Sequence, residues 1–289
     1  MDYILECMIA GIKVDMESQM SFAVTENFIP FLDKSQSMRN YIVRFCETEE
    51  LPKFTEAPIE YNQDFSVYRE QNGDYIRCYH DHKNNDRQYA VTRFEPEQKL
   101  VQVDYLPEGA QFFSEVSNSF FHIGWETLLL HEKRMILHAA CVDTPHGGIL
   151  FSGSSGVGKS TQADLWCRFM NARLLNGDRT VLHAEQKGWM AYGSPYAGSS
   201  RCYVNDSCPV KAVVMLKQTK QCTLRRLGMA EAFHKVYAQA TVNSWNTEYV
   251  TTLCDLIIAL VTDIPVYELS CTPDRDAVEI LQKELMEGK

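Results

Sequence analysis

Through much of the first hundred residues apolar side chains recur at every second position, the period of strands with one face in a core. Val101, Val103 and Tyr105 alternate with Gln102 and Asp104. Phe65, Val67 and Tyr68 precede Gln71-Asn72-Gly73-Asp74, and Tyr75, Ile76 and Cys78 follow. That pattern predicts a hairpin over 64–79, because Asn-Gly supplies the positive φ angles of a tight reversal. A second hairpin is expected from 89–94 through the turn 95–98 to 100–105. Tyr3, Leu5 and Met8, then Ile12 and Val14, predict short strands around Gly11.

Between about 111 and 134 the period becomes helical. Phe112, Val116, Phe120, Ile123, Trp125 and the run 128–130 supply one apolar face, and a helix is expected there. Two apolar runs follow, 135–142 and 149–151, separated by Thr144-Pro145-His146-Gly147-Gly148. So short a loop predicts an antiparallel pair. A helix is expected from Lys159 to about Met170, then strands at 173–175, 181–183, 189–192, 211–216 and 223–227. Helices at 229–241, 247–262 and 274–286 flank a strand at 265–269. The fold class expected is α/β with α+β elements: a β-rich region over 1–107, then an α/β domain with a mixed sheet over 108–289. The seam falls between 107 and 135, where hairpins give way to helix.

The turn after the run 149–151 carries the chemistry. Gly153, Ser154, Ser155, Gly156, Val157, Gly158, Lys159, Ser160 and Thr161 form the pattern glycine, any four, glycine, lysine, serine or threonine, behind a strand and ahead of a helix. Successive backbone N–H groups and a helix N-terminus make an anion-sized concavity there. Lys159 is expected to hold β/γ-phosphates and Ser160 to ligate Mg²⁺. Asp178 follows Lys159 by nineteen positions, one helix and one short strand later. This spacing returns the chain beside the loop with a carboxylate for metal or for the incoming hydroxyl, as in compact kinases. Switch GTPases and motor ATPases place that acid further along. The structural alternative for Asp178 is an ordinary turn residue after Asn-Gly. His138, in the strand ahead of the loop strand, has small neighbours on one side. It is either a core histidine or a group that orients phosphate or takes a proton.

Net charge excludes one class of partner: at −10, with lysine and arginine scattered, no basic stripe exists for a nucleic-acid backbone. The ten cysteines contain no Cys-x-x-Cys pair, which predicts reduced thiols in a cytoplasmic protein. The N-terminal residues are acidic where a signal peptide needs basic ones, and the apolar stretch 253–261 is too short to span a membrane and carries Asp255. His80-Asp81-His82 has the look of a metal pair but sits where a solvated strand end is expected.

Leu137-His138-Ala139-Ala140, then Ile149 through Thr161, then Leu175-Asn176-Gly177-Asp178-Arg179, together resemble the HPr kinase/phosphorylase family and its fold relative phosphoenolpyruvate carboxykinase. The later stretch 189–198, followed by 209–216, is similar to HPr-kinase-like proteins found beside peptide-modification genes. The resemblance covers roughly 130–285; the first hundred residues match no family. It implies an HPr-kinase-like phosphate-loop domain and ATP- and Mg²⁺-dependent transfer of a phosphoryl group to a hydroxyl, on serine or threonine of a peptide or small protein. It gives His138 the active-site histidine position and makes Asp178 the second of paired aspartates, with Gly177 standing where the first belongs. That departure puts the family's reverse phosphorolysis in doubt. Arg201, after the Gly198-Ser199-Ser200 turn, or alternatively Arg179, is the candidate for charge on the transferring group. A small-metabolite kinase and a nucleotide-responsive binding module that transfers nothing remain as rival readings, and the oligomeric state stays open.

Overall fold

The structure is a computed structural model and describes residues 3–33, 35, 38–70, 73–84 and 86–287. The chain divides into two compact units, Met1–Leu128 and Leu129–Lys289. The first unit keeps the segment that follows residue 107, which the sequence had placed with the second.

Among its described residues the first unit builds an eight-stranded mixed sheet. Its strands are β1 (Tyr3–Ile9), β2 (Ile12–Ser18), β3 (Tyr41–Glu47), β4 (Glu60–Tyr61), β5 (Phe65–Arg69), β6 (Tyr75–Asp81), β7 (Arg87–Glu95) and β8 (Leu100–Tyr105), in the order β1-β2-β3-β8-β7-β6-β5-β4. The expected hairpins β5–β6 and β7–β8 are present and antiparallel, the strands expected around Gly11 pair as a further antiparallel hairpin, β1–β2, and β3 joins β2 and β8 in parallel. Gln71 and Asn72 of the second turn lie outside the described residues; Gly73 is at φ +94°. Strand β6 is buried on both faces. Ile76 and Cys78 pack with Val91, while Tyr79 joins an aromatic cluster with Tyr89, Phe121 and His122.

The single helix expected over 111–134 is instead a 3₁₀ turn, Pro107–Phe113, then α1 (Val116–His122) and α2 (Trp125–His131). Gly124 breaks the run at φ +68°, and a Cβ there would lie 2.8 Å from the Arg77 guanidinium. That guanidinium is buried and holds Glu126 at 2.7 Å and the Thr127 hydroxyl at 2.9 Å. An unpaired buried cation is costly, so satisfying Arg77 takes precedence over helix continuity. At the strand end His80 Nε2 pairs with the Ser66 hydroxyl at 2.6 Å and His82 Nδ1 with Asp86 at 2.5 Å.

The second unit is organised around two long strands, β9 (Arg134–Thr144) and, later, β14 (Ser207–Gln218). Between them come β10 (Gly147–Ser152), α3 (Lys159–Met170), β11 (Arg173–Asn176), β12 (Arg179–Glu185) and β13 (Gly188–Tyr192). After them come β15 (Thr223–Arg226), α4 (Met229–Tyr237), α5 (Thr247–Asp263), β16 (Val266–Cys271) and α6 (Arg275–Glu287). The sheet order is β10-β9-β12-β13-β14-β16-β15, and β10 also pairs with β14 in parallel. Hydrogen bonding therefore closes a circuit from β10 through β9, β12, β13 and β14 back to β10. Alternate residues of β9 serve two cores: Leu137, Ala139 and Cys141 face one with Leu150, Val213 and Leu182, while Ala140 and Val142 face another with Phe151, Trp166 and Leu281. Helix α5 starts where Asn246 accepts hydrogen bonds from the Glu248 and Tyr249 N–H groups, an N-cap.

All ten cysteines are free thiols and none is fully exposed. Among the described residues no helix is long and apolar enough to cross a membrane.

His122 gives the first unit a pH-dependent stability. Its Nδ1–H donates to Asn118 O at 2.6 Å, so Nε2 accepts from the Tyr89 hydroxyl at 2.7 Å. Burial pushes its pKa down to about 4. The unfolded chain takes up that proton near pH 6.5 while the folded one resists, so stability falls as pH drops from about 6.5 to 4, by about 3 kcal/mol in total. His122→Gln removes the titrating group. Urea unfolding between pH 7 and 4.5 should show a shallower loss for the variant than for the parent chain.

Candidate phosphate-transfer site

Strand β10, the loop 153–158 and α3 form the strand–loop–helix that the motif calls for. Three glycines hold the loop in conformations that L side chains avoid: Gly153 at φ +144°, Gly156 at +78° and Gly158 at +107°. A Cβ at Gly156 or Gly158 would meet nothing within 4 Å, so backbone conformation rather than crowding selects glycine there. Helix α3 opens on this loop with Gly158 at its N-cap, no side-chain cap and no acidic residue in its first turn. Its free N–H groups and positive end therefore face the concavity without an internal anion. Lys159 is buried, its Nζ donating to the carbonyls of Gly153 at 3.2 Å and Ser154 at 3.3 Å. Burial and the Arg179 charge lower its pKa, and the Asp178 carboxylate opposes them. Ser160 stands exposed one residue further on.

Strand β9 carries the second half of the site. It pairs with β10 from Ala139 to Thr144, with β11 at Cys141–Asp143, and with β12 at Arg134–His138. Asp178 occupies the step between β11 and β12, and its carbonyl accepts from Ala139 N at 2.9 Å. His138 and Asp178 thereby become neighbours, with Nε2 to Oδ1 at 3.0 Å and both side chains partly exposed. Arg179 Nε lies 3.5 Å from the other carboxylate oxygen, and Arg179 Nη1 donates to the Thr241 hydroxyl at 3.1 Å. Ser152, the last residue of β10, ties the two halves together by donating its hydroxyl to His138 O at 2.8 Å. Burial lowers the His138 pKa most; the charges of Lys159 and Arg179 act in the same sense, and Asp178 opposes them. His138, Lys159, Asp178 and Arg179 thus lie within one electrostatic neighbourhood, with the imidazole held neutral at neutral pH.

The sequence reading missed the residues that fix Asp178 in place. Asn176 is fully buried; its Oδ1 accepts from Asp178 N at 2.9 Å and Arg179 N at 2.8 Å, an Asx turn. Its Nδ2 donates to the carbonyls of Ser194 at 3.2 Å and Tyr196 at 3.3 Å, and Ser194 Oγ donates to Arg179 O at 2.7 Å. Asparagine before glycine was the available signal, and it read only as a turn. Gly177 has a steric reason: a Cβ there would collide with the Ser200 side chain and lie 2.8 Å from Ala197 O. The 3₁₀ turn Gly198–Ser200 fills the space that a side chain at 177 would need. At Gly198 a Cβ would press on Asp178 Cβ at 3.0 Å, so this turn also walls in the carboxylate.

Arg201 is not brought into the cluster. It is exposed, in left-handed backbone at φ +50°, and has no hydrogen bond or ion pair among the described residues. Arg179 is the arginine at the site. Among the described residues no group of three or more His, Cys, Asp or Glu could hold a metal ion. The donor set of one carboxylate, Asp178, and one hydroxyl, Ser160, suits Mg²⁺, which keeps several waters and takes one or two protein ligands alongside phosphate oxygens.

No family model matches the chain, and no curated protein matches it. Among solved structures, the chain is similar to the Hpr(Ser) kinase/phosphatase from Coxiella burnetii, at 15% identity over 53% of this chain and 88% of that one, with a TM-score of 0.31. So low a TM-score fixes neither residue roles nor chemistry.

The Gly177 contact can be checked directly. Gly177→Ala should lower stability by about 1–3 kcal/mol, because Ala197 O is backbone and cannot rotate aside. Gly188→Ala, at a hairpin turn whose added Cβ would meet nothing within 4 Å, separates crowding from backbone strain alone. Urea midpoints of the two variants give the comparison.

Proposed function

We propose that the protein is a phosphotransferase that moves the terminal phosphoryl group of a nucleoside triphosphate, ATP with Mg²⁺, to a hydroxyl of a peptide, small protein or small molecule. The observation that carries this reading is the 3.0 Å contact between His138 and Asp178 in the electrostatic neighbourhood of Lys159. A glycine loop by itself accounts only for binding an anion. An acid–base pair in the same neighbourhood supplies what transfer further requires, a place for the acceptor's proton.

In this reading the loop amides and Lys159 neutralise phosphate charge, and the N-terminus of α3 adds its positive end. Ser160 and Asp178 would hold Mg²⁺, which when bound offsets charge on the bridging phosphate oxygens. Asp178 orients the acceptor hydroxyl, and its proton passes to Asp178 or to neutral His138. A new O–P bond forms while the bond to the diphosphate breaks, and Arg179 faces the charge that develops. Most of the acceleration comes from positioning and charge neutralisation. Serine or threonine as the acceptor accords with the resemblance of the residues around His138, the loop and Asp178.

One observation favours a second reading, a binding module that responds to nucleotide without transfer. The place of a first acid is closed off by Ser200 against Gly177, leaving one carboxylate for two duties.

Three variants test the reading. Lys159→Ala should abolish Mg·ATP binding in calorimetry. Asp178→Asn should keep nucleotide binding within a few fold but lower phosphorylation of an accepted peptide by about a hundredfold or more. Unchanged turnover in Asp178→Asn would leave the carboxylate without a role, and a parent chain that binds ATP yet labels no acceptor would favour the binding module. Because the His138 pKa is lowered, kcat/KM should rise with pH through a midpoint below about 6.5 and level off by neutrality. His138→Gln should erase that acid limb.

A further inference from the structure

Two thiols meet at the sheet edge beside the loop. Strands β15 and β16 pair antiparallel, Thr223 with Ser270 and Leu224 with Leu269. One step further the register sets Cys222, the residue before β15, opposite Cys271, the last of β16. Alternation puts both on the face of Leu224 and Leu269, and all of these pack in the core that holds Trp166. Cys271 O accepts from Thr219 N at 3.2 Å within the parallel pairing to β14, so its peptide groups face β14 and not Cys222. Facing residues of that non-hydrogen-bonded kind stand ~4.5 Å apart at Cα, inside the ~4.4–6.8 Å that a disulfide spans.

Cys271 also touches the helix that carries the phosphate loop. Its Sγ accepts from Gln162 Nε2 at 3.3 Å, and Gln162 N donates to Gly158 O at 2.9 Å. Gln162 is only 2% exposed, and its carboxamide oxygen has no partner among the described residues, so this sulfur is what satisfies the side chain. Strands β10, β14 and β16 run parallel, and at their C-terminal ends an open volume of about 500 Å³ is bordered by both the loop and Cys271. That opening admits a small oxidant to Cys271, and Cys222 is itself partly exposed. Cys141 and Cys208, whose sulfurs also lie together beside Gly148, are sealed in a core instead.

We propose that Cys222 and Cys271 are a redox-sensitive pair whose disulfide weakens the phosphate site, an inference that rests on the phosphate reading above. The oxidant is a small disulfide of the glutathione class. The Cys222 thiolate attacks one of its sulfurs and expels a thiol, leaving a mixed disulfide. The Cys271 thiolate then attacks Cys222 Sγ and expels the second thiol. Two electrons pass to the oxidant, and the two protein protons leave with the expelled thiols. Turning Cys271 Sγ towards Cys222 takes it from Gln162 Nε2, so a buried amide one turn past Gly158 loses its acceptor. Burial first, then Cys222 and Asp274, push the Cys271 thiol up to about 11. Burial with the Asp274 and Asp276 charges likewise pushes the Cys222 thiol up. Thiols held protonated react slowly, so the pair answers a sustained oxidant rather than a brief one.

The full chain is titrated with glutathione disulfide and mapped by mass spectrometry of non-reduced peptides, while calorimetry follows Mg·ATP binding of the same samples. A peptide linking Cys222 to Cys271 should appear together with at least about a tenfold loss of affinity, both reversed by dithiothreitol. Cys222→Ser should bind Mg·ATP as the reduced parent does and keep that affinity at the same oxidant doses. Peptide mapping of the parent chain decides the question if the variant does not fold. No link, a link between other cysteines, or a Cys222–Cys271 link with affinity unchanged overturns the redox pair while leaving the phosphate site standing. A reduced parent chain that binds no Mg·ATP overturns the phosphate reading and this regulation with it.

Discussion

The pairing register of β9 is the constraint on which the second unit depends. One strand hydrogen-bonds to β10 along its C-terminal half and, on its other edge, to β11 and then β12. The loop at the end of β10 and the turn between β11 and β12 are therefore held on either side of the same short stretch, 138–141. A slip of one residue would turn every β9 side chain to the opposite face, moving His138 into a core and Ala139 out of it. The alternation that fills two separate cores is thus also what exposes His138 to Asp178.

Around that register the site is built mainly from backbone. The loop carbonyls hold Lys159 and the Asx turn of Asn176 orients Asp178, while the Gly198–Ser200 turn presses against Gly177 and Asp178. Such a site is preorganised, because few long side chains need to be ordered when a ligand arrives. It also accounts for glycine at position 177. Position 177 has no room for a side chain once the turn after Ala197 has closed over it, so the site works with one carboxylate and a histidine or does not transfer at all.

Much of this was legible along the chain. Local rules covered the strands around Gly11, the hairpins at Gly73 and 95–98, the pair β9–β10 and helix α3, because alternation, turn chemistry and helical period act over a few residues. The helix expected over 111–134 failed for a non-local reason. Its apolar face was correctly placed, but Gly124 answers to Arg77, which lies far away in sequence and needs a buried partner. Arg201 closes the Gly198–Ser200 turn and Arg179 opens β12, and position along the chain does not say which of the two lies beside Asp178.

By itself the sequence determined the chemistry available: a glycine loop with lysine and serine, an acid at compact spacing, and a histidine among small residues. Tertiary structure alone decided which of these meet. His138 and Asp178 come together only because β9 is shared between partners on both of its edges. Gly177 is glycine only because Ser200 and Ala197 arrive beside it, and the open volume beyond the loop exists only where three parallel strands end together. Each is a contact between segments distant along the chain, and hydrophobic periodicity carries no record of such pairings.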